Sequence, residues 1–382
     1  MFQFQSRASL PTLSQQHAGN PCLVSPLFAP ARCRSQGGER ISPLRRVRRR
    51  STSWASVVVL SCFLPMLSIA QTPREISAAS YVERANGFVT NGDLKRAITD
   101  FGIALQFDPR SAMAYFGRGF ARYKRGELQA AISDYSAAIE LNPKFSHAYC
   151  NRAHALSHSG KLDAALLDYD CALKLNARLA DALNGRGAVR GQKGDIQGAL
   201  RDLDSAIRIS PRFSQAFFNR GIARHAQGDA SGAVADFDRA IKLDGQMAEA
   251  YRARGDVRFD QRQFDRAISD YSKAIELNPN DAKAYVNRGS SQVARGLVRK
   301  GLPDFDRAIE LDPGYALAFA NRGWARRLLG DELGAEKDFE QCFKLDESLR
   351  VKFEGLTKNL RRQVRQKRYS GTASDAEAGA EK

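Results

Sequence analysis

The sequence lacks the short motifs on which most enzymes depend. It contains no His-Glu-x-x-His motif, no glycine-rich phosphate loop, no serine nucleophile elbow and no Cys-x-x-Cys pair. Each of these motifs sets a reactive side chain or a phosphate-binding backbone at a fixed spacing. We therefore expect no enzymatic activity, no cofactor and no small-molecule substrate.

Cysteine is also scarce. The chain of 382 residues has six, and only Cys150, Cys171 and Cys342 lie beyond residue 70. An odd number of widely spaced cysteines does not indicate a disulfide framework.

A broad basic surface is missing as well, although the formal net charge is +17. Residues 1–70 hold nine Arg against one Glu, and residues 348–370 hold eight Lys or Arg against one Glu. Between these ends about 40 basic and 36 acidic residues nearly balance, which does not favour nucleic-acid binding by the central part of the chain. Binding of nucleic acid through the basic segment 358–368 is left as an alternative.

The apolar run from Trp54 to Ala70 is short for a membrane span, which needs about 20 residues. It follows an arginine-rich stretch and ends in Ser68, Ile69 and Ala70, a layout typical of a secretory signal peptide. We predict that residues 46–70 are a signal peptide cleaved after Ala70, and that the mature protein is periplasmic or secreted. Two alternatives stay open: an uncleaved anchor through residues 54–70, with the residues that follow it outside the cytoplasm, and translation from Val47.

The two ends of the chain have no repeated pattern. Residues 1–45 are rich in Ser, Pro, Gln, Gly and Arg, and we predict that they are disordered. Near the other end an apolar stripe at helical spacing predicts an amphipathic capping helix over residues 350–366, followed by a disordered tail over 367–382. The stripe consists of Leu349, Phe353, Leu356, Leu360 and Val364.

The stretch 112–145 carries a pattern that recurs along the chain with a period of thirty-four residues. Its first half has Tyr115, Gly119 and Arg122 at helical spacing, and after Gly126 a second half repeats the rhythm until Pro143. This pattern predicts a helix, a turn and a second helix. It resembles the tetratricopeptide repeat (TPR).

Eight copies in phase are predicted between residues 78 and 349. Counted from the first residue of each copy, position 8 is always Gly or Ala, and position 24 is always aromatic or Leu. Small residues allow helices to touch, and the large rings fill the space that remains. The copies span 78–111, 112–145, 146–179, 180–213, 214–247, 248–281, 282–315 and 316–349.

The resemblance implies an all-α fold, an alpha-alpha superhelix of antiparallel helix pairs. The seventh copy departs from the pattern, since Gly301 and Pro303 stand at positions 20 and 22. Because proline inside a helix removes a donor and clashes with the preceding turn, we expect the second helix of this copy to start late, with Pro303 in its first turn.

Each copy also has Arg at position 7 and Asp at position 23. This is the Asn-Arg-Gly and Asp-Tyr variety of the repeat, and a guanidinium that holds a carboxylate with two hydrogen bonds suits the fixing of helix register. We predict structural ion pairs, with a charged ligand track as the alternative. Representative pairs are Arg118 with Asp134, Arg220 with Asp236, and Arg254 with Asp270.

The resemblance further implies a concave surface lined by positions 2, 5, 9, 12 and 13 of the first helices. In the second copy these positions hold surplus aromatic side chains, which we expect to be exposed for a bound peptide. The predicted groove residues are Phe116, Phe120, Tyr123, His147, His154, His158, Asn184, Phe218, Arg252 and Trp324.

The third copy sets His147, Cys150, His154 and His158 on one helix face. Such a stripe can suggest metal ligands, but four side chains from one straight helix cannot close around a tetrahedral ion. We therefore interpret the stripe as a polar wall of the groove and expect no metal.

The sequence thus predicts a non-catalytic scaffold or adaptor that binds a protein or peptide in its groove. A second alternative, the repeat arm of a glycosyltransferase-like system, lacks a catalytic domain after Leu349.

Overall fold

The computed structural model describes residues 77 to 350, which form a succession of helices and contain no strand. The sixteen helices are α1 Ala78–Thr90, α2 Leu94–Phe107, α3 Ala112–Lys124, α4 Leu128–Leu141, α5 Ser146–His158, α6 Leu162–Leu175, α7 Ala180–Gln192, α8 Ile196–Ile209, α9 Ser214–Gln227, α10 Ala230–Leu243, α11 Ala248–Asp260, α12 Phe264–Leu277, α13 Ala282–Ala294, α14 Val298–Leu311, α15 Ala316–Leu328 and α16 Glu332–Leu345. The all-α helical solenoid predicted from the sequence is confirmed.

Several predicted segments lie outside the described residues: the N-terminal extension 1–45, the signal peptide 46–70 and the tail 367–382. Of the predicted capping helix, only Arg350 is described. Ser348–Arg350 are helical, and Leu349 packs against the cluster around Trp324 and Phe339.

Each helix pair is closed by a tight turn that reverses the chain. A glycine with positive φ occupies this turn in seven of the pairs, as Gly228 does with φ of 93°. In the pair α11 and α12 the position is held by Arg262, with φ of 61°. Because the left-handed conformation is strained for residues with a Cβ, this turn departs from the preference of the other seven.

The core of each pair is a large ring set against a small residue. The ring of Phe237 is fully buried, and a Cβ built on Gly221 would lie 2.7 Å from it. Tyr271 stands in the same relation to Gly255, at 2.8 Å. Glycine is needed at these places because the first helix approaches the ring more closely than a side chain would permit.

The expectation for the seventh pair is wrong. Helix α14 begins at Val298, in step with the second helices of the other pairs, and Pro303 lies inside it. Pro303 and Arg299 are both solvent-exposed, so water can satisfy the Arg299 carbonyl that proline leaves without a donor. Gly301 keeps the early turn close to α13, because a Cβ there would lie 2.8 Å from the carbonyl oxygen of Gly289.

A buried aspartate of the second helix binds an arginine of the first helix in every pair. Arg220 Nε donates to Asp236 Oδ2 at 2.9 Å, and its NH2 donates to Oδ1 at 2.6 Å. The aspartates are buried, and their charge requires a partner. The eight pairs are Arg84 with Asp100, Arg118 with Asp134, Arg152 with Asp168, Arg186 with Asp202, Arg220 with Asp236, Arg254 with Asp270, Arg288 with Asp304, and Arg322 with Asp338.

The same arginine also connects its pair to the preceding one. Arg220 NH1 donates to Asp204 of α8 at 2.7 Å, and the guanidinium lies 5.4 Å from the ring centre of Phe217. A second arginine, Arg224, reaches Asp236 with its NH1 at 2.9 Å. These contacts form a rung, which we define as the arginine at position 7, the aspartate at position 23 and the groups bound to them.

The rungs predict an order of stability among three variants. Asp236→Ala removes the carboxylate that two partly buried guanidiniums share, those of Arg220 and Arg224. This substitution is expected to lower the free energy of unfolding by roughly 3–5 kcal/mol. Arg220→Leu is expected to lower it less, because Arg224 still neutralises Asp236. Urea unfolding of each variant measures the differences.

Arg288→Leu is the matched control for Arg220→Leu. The second arginine is replaced there by Gln292, and Arg288 is the cation that hydrogen-bonds Asp304. Arg288→Leu should therefore destabilise the protein more than Arg220→Leu. Equal losses in the two leucine variants would contradict this account of the rungs.

Candidate partner-binding groove

The first helices of the pairs line the inner side of the stack. Each first helix contacts the next first helix, from α1 with α3 to α13 with α15, whereas no second helix contacts another second helix among residues 77–350. A stack whose members approach more closely on one side curves toward that side. The concave face, here called the groove, therefore consists of the odd-numbered helices.

Side chains bridge neighbouring first helices across the groove. The hydroxyl of Tyr123 lies 3.1 Å from His158 Nδ1, and His225 Nε2 lies 3.2 Å from Asp260 Oδ2. These residues occupy positions 12 and 13 of successive copies, so the structure brings predicted groove positions together. Further bridges are Asn219 with Asn184, Asn287 with Asp256, and Arg252 with Asp281.

The expected exposure of the aromatic side chains in the second copy is wrong for two of them. Phe116 is only 7% exposed because its ring lies 4.7 Å from that of Phe145, which follows α4. Tyr123 is 4% exposed and stacks on His158. Phe120 is half-buried, and Lys124 Nζ lies 5.8 Å from its ring centre. A role of these residues in partner binding stays a prediction.

The histidines of α5 differ in their surroundings. His154 is buried between Tyr169, whose hydroxyl lies 2.7 Å from Nδ1, and Cys150, whose Sγ lies 3.7 Å from Nε2. His147 and His158 are half-buried at the groove surface. Within residues 77–350, no three His, Cys, Asp or Glu side chains are grouped so that they could hold a metal ion.

Burial and neighbouring groups shift the pKa values of these histidines. Desolvation lowers the pKa of His147, and it lowers the pKa of His158 together with the nearby charge of His154. Burial also acts to lower the pKa of His154, but Cys150 and Asp181 outweigh it and the pKa is raised.

The predicted residues of the fourth, fifth and eighth copies are buried rather than open. Asn184 and Phe218 are each 4% exposed, and Trp324 is 7% exposed. Asn184 Oδ1 accepts a hydrogen bond of 2.9 Å from Asn219 Nδ2. The small spacing between first helices leaves little surface at these positions.

Arg252 belongs to a charged network on the groove side of α11 and α13. Asp256 Oδ1 accepts hydrogen bonds of 2.8 Å from the Tyr271 hydroxyl and from Asn287 Nδ2. Arg252 Nε lies 3.0 Å from Asp281 Oδ2, but its N–H points at no acceptor among the described residues. Burial raises the pKa of Asp256, although Arg252 opposes this shift.

Four members of this network are absent from the sequence-based set: Asp256, Tyr271, Asn287 and Asp281. Asp281 stands at position 34, where other copies have residues such as Phe145, Leu179 and Phe213, and it caps α13. A capping aspartate in place of an apolar residue is a signal that could have identified it. Tyr271 is at a core position, and nothing in the sequence distinguishes it from the other core rings.

The pKa directions predict how stability depends on pH. Because the pKa of His158 is lowered from 6.5, the unfolded chain binds a proton at a higher pH than the folded chain does. This contribution to stability is complete above about pH 6.5 and is lost as the pH falls through 6.5 toward the lowered pKa. Thermal melting should therefore show a smaller loss of Tm between about pH 7.5 and 5.5 in His158→Gln than in the wild type. Equal losses would contradict the assignment.

Comparison with known proteins identifies the repeat. The models of the tetratricopeptide repeat match residues 119–160 and 255–296, residues 189–248, and residues 146–178. No curated protein matches this sequence. None of the helices described has the length and apolarity to span a bilayer.

Solved structures share the architecture. A tetratricopeptide repeat protein from Parabacteroides merdae ATCC 43184 is 23% identical with a TM-score of 0.52, and the match covers 65% of this chain and 98% of that one. A chain of the APC/C hetero-tetramer Cut9–Hcn1 is 18% identical with a TM-score of 0.58, and the match covers 65% of this chain and 48% of that one. The repeat models and the shared fold together show that this chain contains tetratricopeptide repeats folded as a helical solenoid.

Proposed function

We propose that the chain is a non-catalytic scaffold that binds a protein or peptide partner in the groove. In this proposal each of the eight helix pairs is one repeat of the Asn-Arg-Gly and Asp-Tyr variety. Proteins built from such repeats typically mediate protein–protein interactions. We assign the binding of a partner to the groove, which is formed by the odd-numbered helices.

Unused hydrogen-bonding groups in the groove carry the proposal. Arg252 forms ion pairs with Asp281 and Asp256, but its Nε is shielded from water and has no hydrogen-bond partner within residues 77–350. On α13, Ser290 Oγ is also shielded and has no partner in the described part of the chain. Buried donors and acceptors are normally satisfied, and the carbonyl and amide groups of a bound segment would satisfy these.

The chemistry of the groove favours binding over catalysis. Cys150 and His154 form a thiol–imidazole pair, but Cys150 is fully buried and a substrate could not reach its sulfur. No feature of the described residues favours a glycosyltransferase arm or nucleic-acid binding.

A photocrosslinking amino acid in place of Phe120 tests the site. Phe120 is half-buried in the groove, whereas Leu167 on the outer helix α6 is 68% exposed. We expect a partner to crosslink from position 120 and not from position 167. Equal crosslinking from both positions would place the partner elsewhere.

Arg252→Gln then measures the contribution of the network. Loss of a buried binding donor is expected to weaken affinity for the captured partner at least tenfold, about 1.4 kcal/mol, with circular dichroism unchanged. Arg307→Gln is the matched control, because Arg307 lies on the outer helix α14 and its side chain is 46% exposed. Equal weakening by the two substitutions would argue against the groove.

We also propose that residues 46–70 direct export and are removed after Ala70. N-terminal sequencing of protein purified from its native host should then start at Gln71. Recovery of Trp54–Ala70 intact would instead indicate a solenoid tethered to the membrane.

A further inference from the structure

The charges around the rungs follow a rule at the junction between successive helix pairs. In four of the five copies that have arginines at both position 7 and position 11, position 25 of the preceding copy is Asp, and its carboxylate accepts from NH1 of the first arginine. These bonds join Arg186 to Asp170, Arg220 to Asp204, Arg254 to Asp238, and Arg322 to Asp306, at 2.5 to 2.7 Å. Two guanidiniums therefore face at least two carboxylates. At three of these junctions a third, the aspartate that caps the second helix, lies 3.8 to 4.0 Å from the second arginine.

Junctions with a single arginine need one carboxylate fewer. Leu156 and Gln292 replace the second arginine in the third and seventh copies, and position 25 is then serine. Arg152 NH1 donates to Ser136 Oγ at 3.0 Å, and the corresponding bond of Arg288 goes to Ser272 at 3.3 Å. In both arrangements the carboxylates are at least as many as the guanidiniums.

The junction between the first and second copies breaks this rule. Arg118 and Arg122 both bind Asp134, but position 25 of the first copy is Gly102. Arg118 NH1 makes no hydrogen bond within residues 77–350, and the shielded Arg122 Nε has no partner there either. Glu127, the nearest acidic residue along the chain, is paired with Arg125 at 3.1 Å.

An open depression marks the place of the missing carboxylate. No acidic side chain lines it, and two guanidiniums face one carboxylate there. Its lining consists of Ile98, Thr99, Gly102, Ile103, Leu105, Gln106, Arg118 and Arg122. Packing does not require the glycine, since a Cβ on Gly102 would meet nothing within 4 Å.

We propose that this depression binds the carboxylate of an Asp or Glu side chain of a protein partner. Four other junctions are completed by a carboxylate on the same guanidinium nitrogen, so the vacant position has the geometry of that group. The deficit is one negative charge, which a carboxylate neutralises and a phosphate dianion would exceed. Ile98 and Ile103 provide apolar contact for the methylene groups of the inserted side chain. The site involves the second helix α2 and is separate from the groove.

Substitution of Gly102 tests the proposal within the chain itself. Gly102→Asp supplies the missing carboxylate, and Gly102→Asn is its neutral isostere. The Asp variant should melt roughly 2 °C or more above the Asn variant at low salt, and the difference should shrink at high salt. Ser136→Asp and Ser136→Asn form the matched control pair, and a smaller difference is expected there because Arg152 and Asp168 are already balanced.

Acetate serves as the probe for binding. In the full chain, titration with acetate should shift the NMR signals of the Arg118 and Arg122 Nε–H groups saturably, whereas acetamide should not. Gly102→Asp should weaken the acetate response at least tenfold and leave crosslinking from position 120 unchanged. Equal melting of the two Gly102 variants, or equal acetate responses in wild type and Gly102→Asp, would overturn the site. Inorganic phosphate binding more than tenfold tighter than acetate would overturn the choice of a carboxylate.

Discussion

The structure depends on a carboxylate buried between the two helices of each pair. A charge in that position destabilises the fold unless a cation and hydrogen bonds accompany it, so the aspartate at position 23 requires the arginine at position 7. The planar guanidinium has more donors than one carboxylate can use, and its remaining donors need acceptors of their own. The buried aspartate of the second helix therefore needs an arginine on the first helix, and that arginine needs a further acceptor on the preceding pair. Hydrophobic packing brings the helices together, and these hydrogen bonds and ion pairs fix how each pair is placed against its neighbour.

The same geometry determines the character of the groove. Close approach of the first helices buries aromatic and amide side chains that would otherwise be open, as Tyr123 and Asn184 illustrate. The surface that remains carries the imidazoles of His147 and His158 in the third copy and the carboxylate network of Asp256 in the sixth. Under the proposed function, such a face would bind an extended segment through its backbone groups.

The repeating part of the fold could be predicted from the sequence because each position is sampled eight times. The glycine at position 8 and the ring at position 24 identify two helices in contact, and Gly221 with Phe237 shows that contact at 2.7 Å from an added Cβ. The exposure of Phe116 and Tyr123 could not be predicted, since it depends on how closely successive pairs approach. The continuation of α14 through Pro303 could not be predicted for a related reason, because water access to the Arg299 carbonyl is a property of the folded surface. Asp281 lies in the groove because it caps the start of α13, and its position in the copy is not among the five groove positions expected from the resemblance.

The serine or aspartate at position 25 makes neighbouring copies specific to one another. Apart from the second copy, which follows Gly102, a copy with two arginines follows an aspartate and a copy with one follows a serine, as Asp170 before Arg186 and Ser136 before Arg152 show. Excision of the third copy would set Arg186 and Arg190 against Ser136 and leave a charge without its partner. Units of the same shape are thus interchangeable only where these junction charges agree, as they do in the fourth and fifth copies. Growth of such a solenoid by duplication would have to copy or adjust the charges on both sides of each new junction.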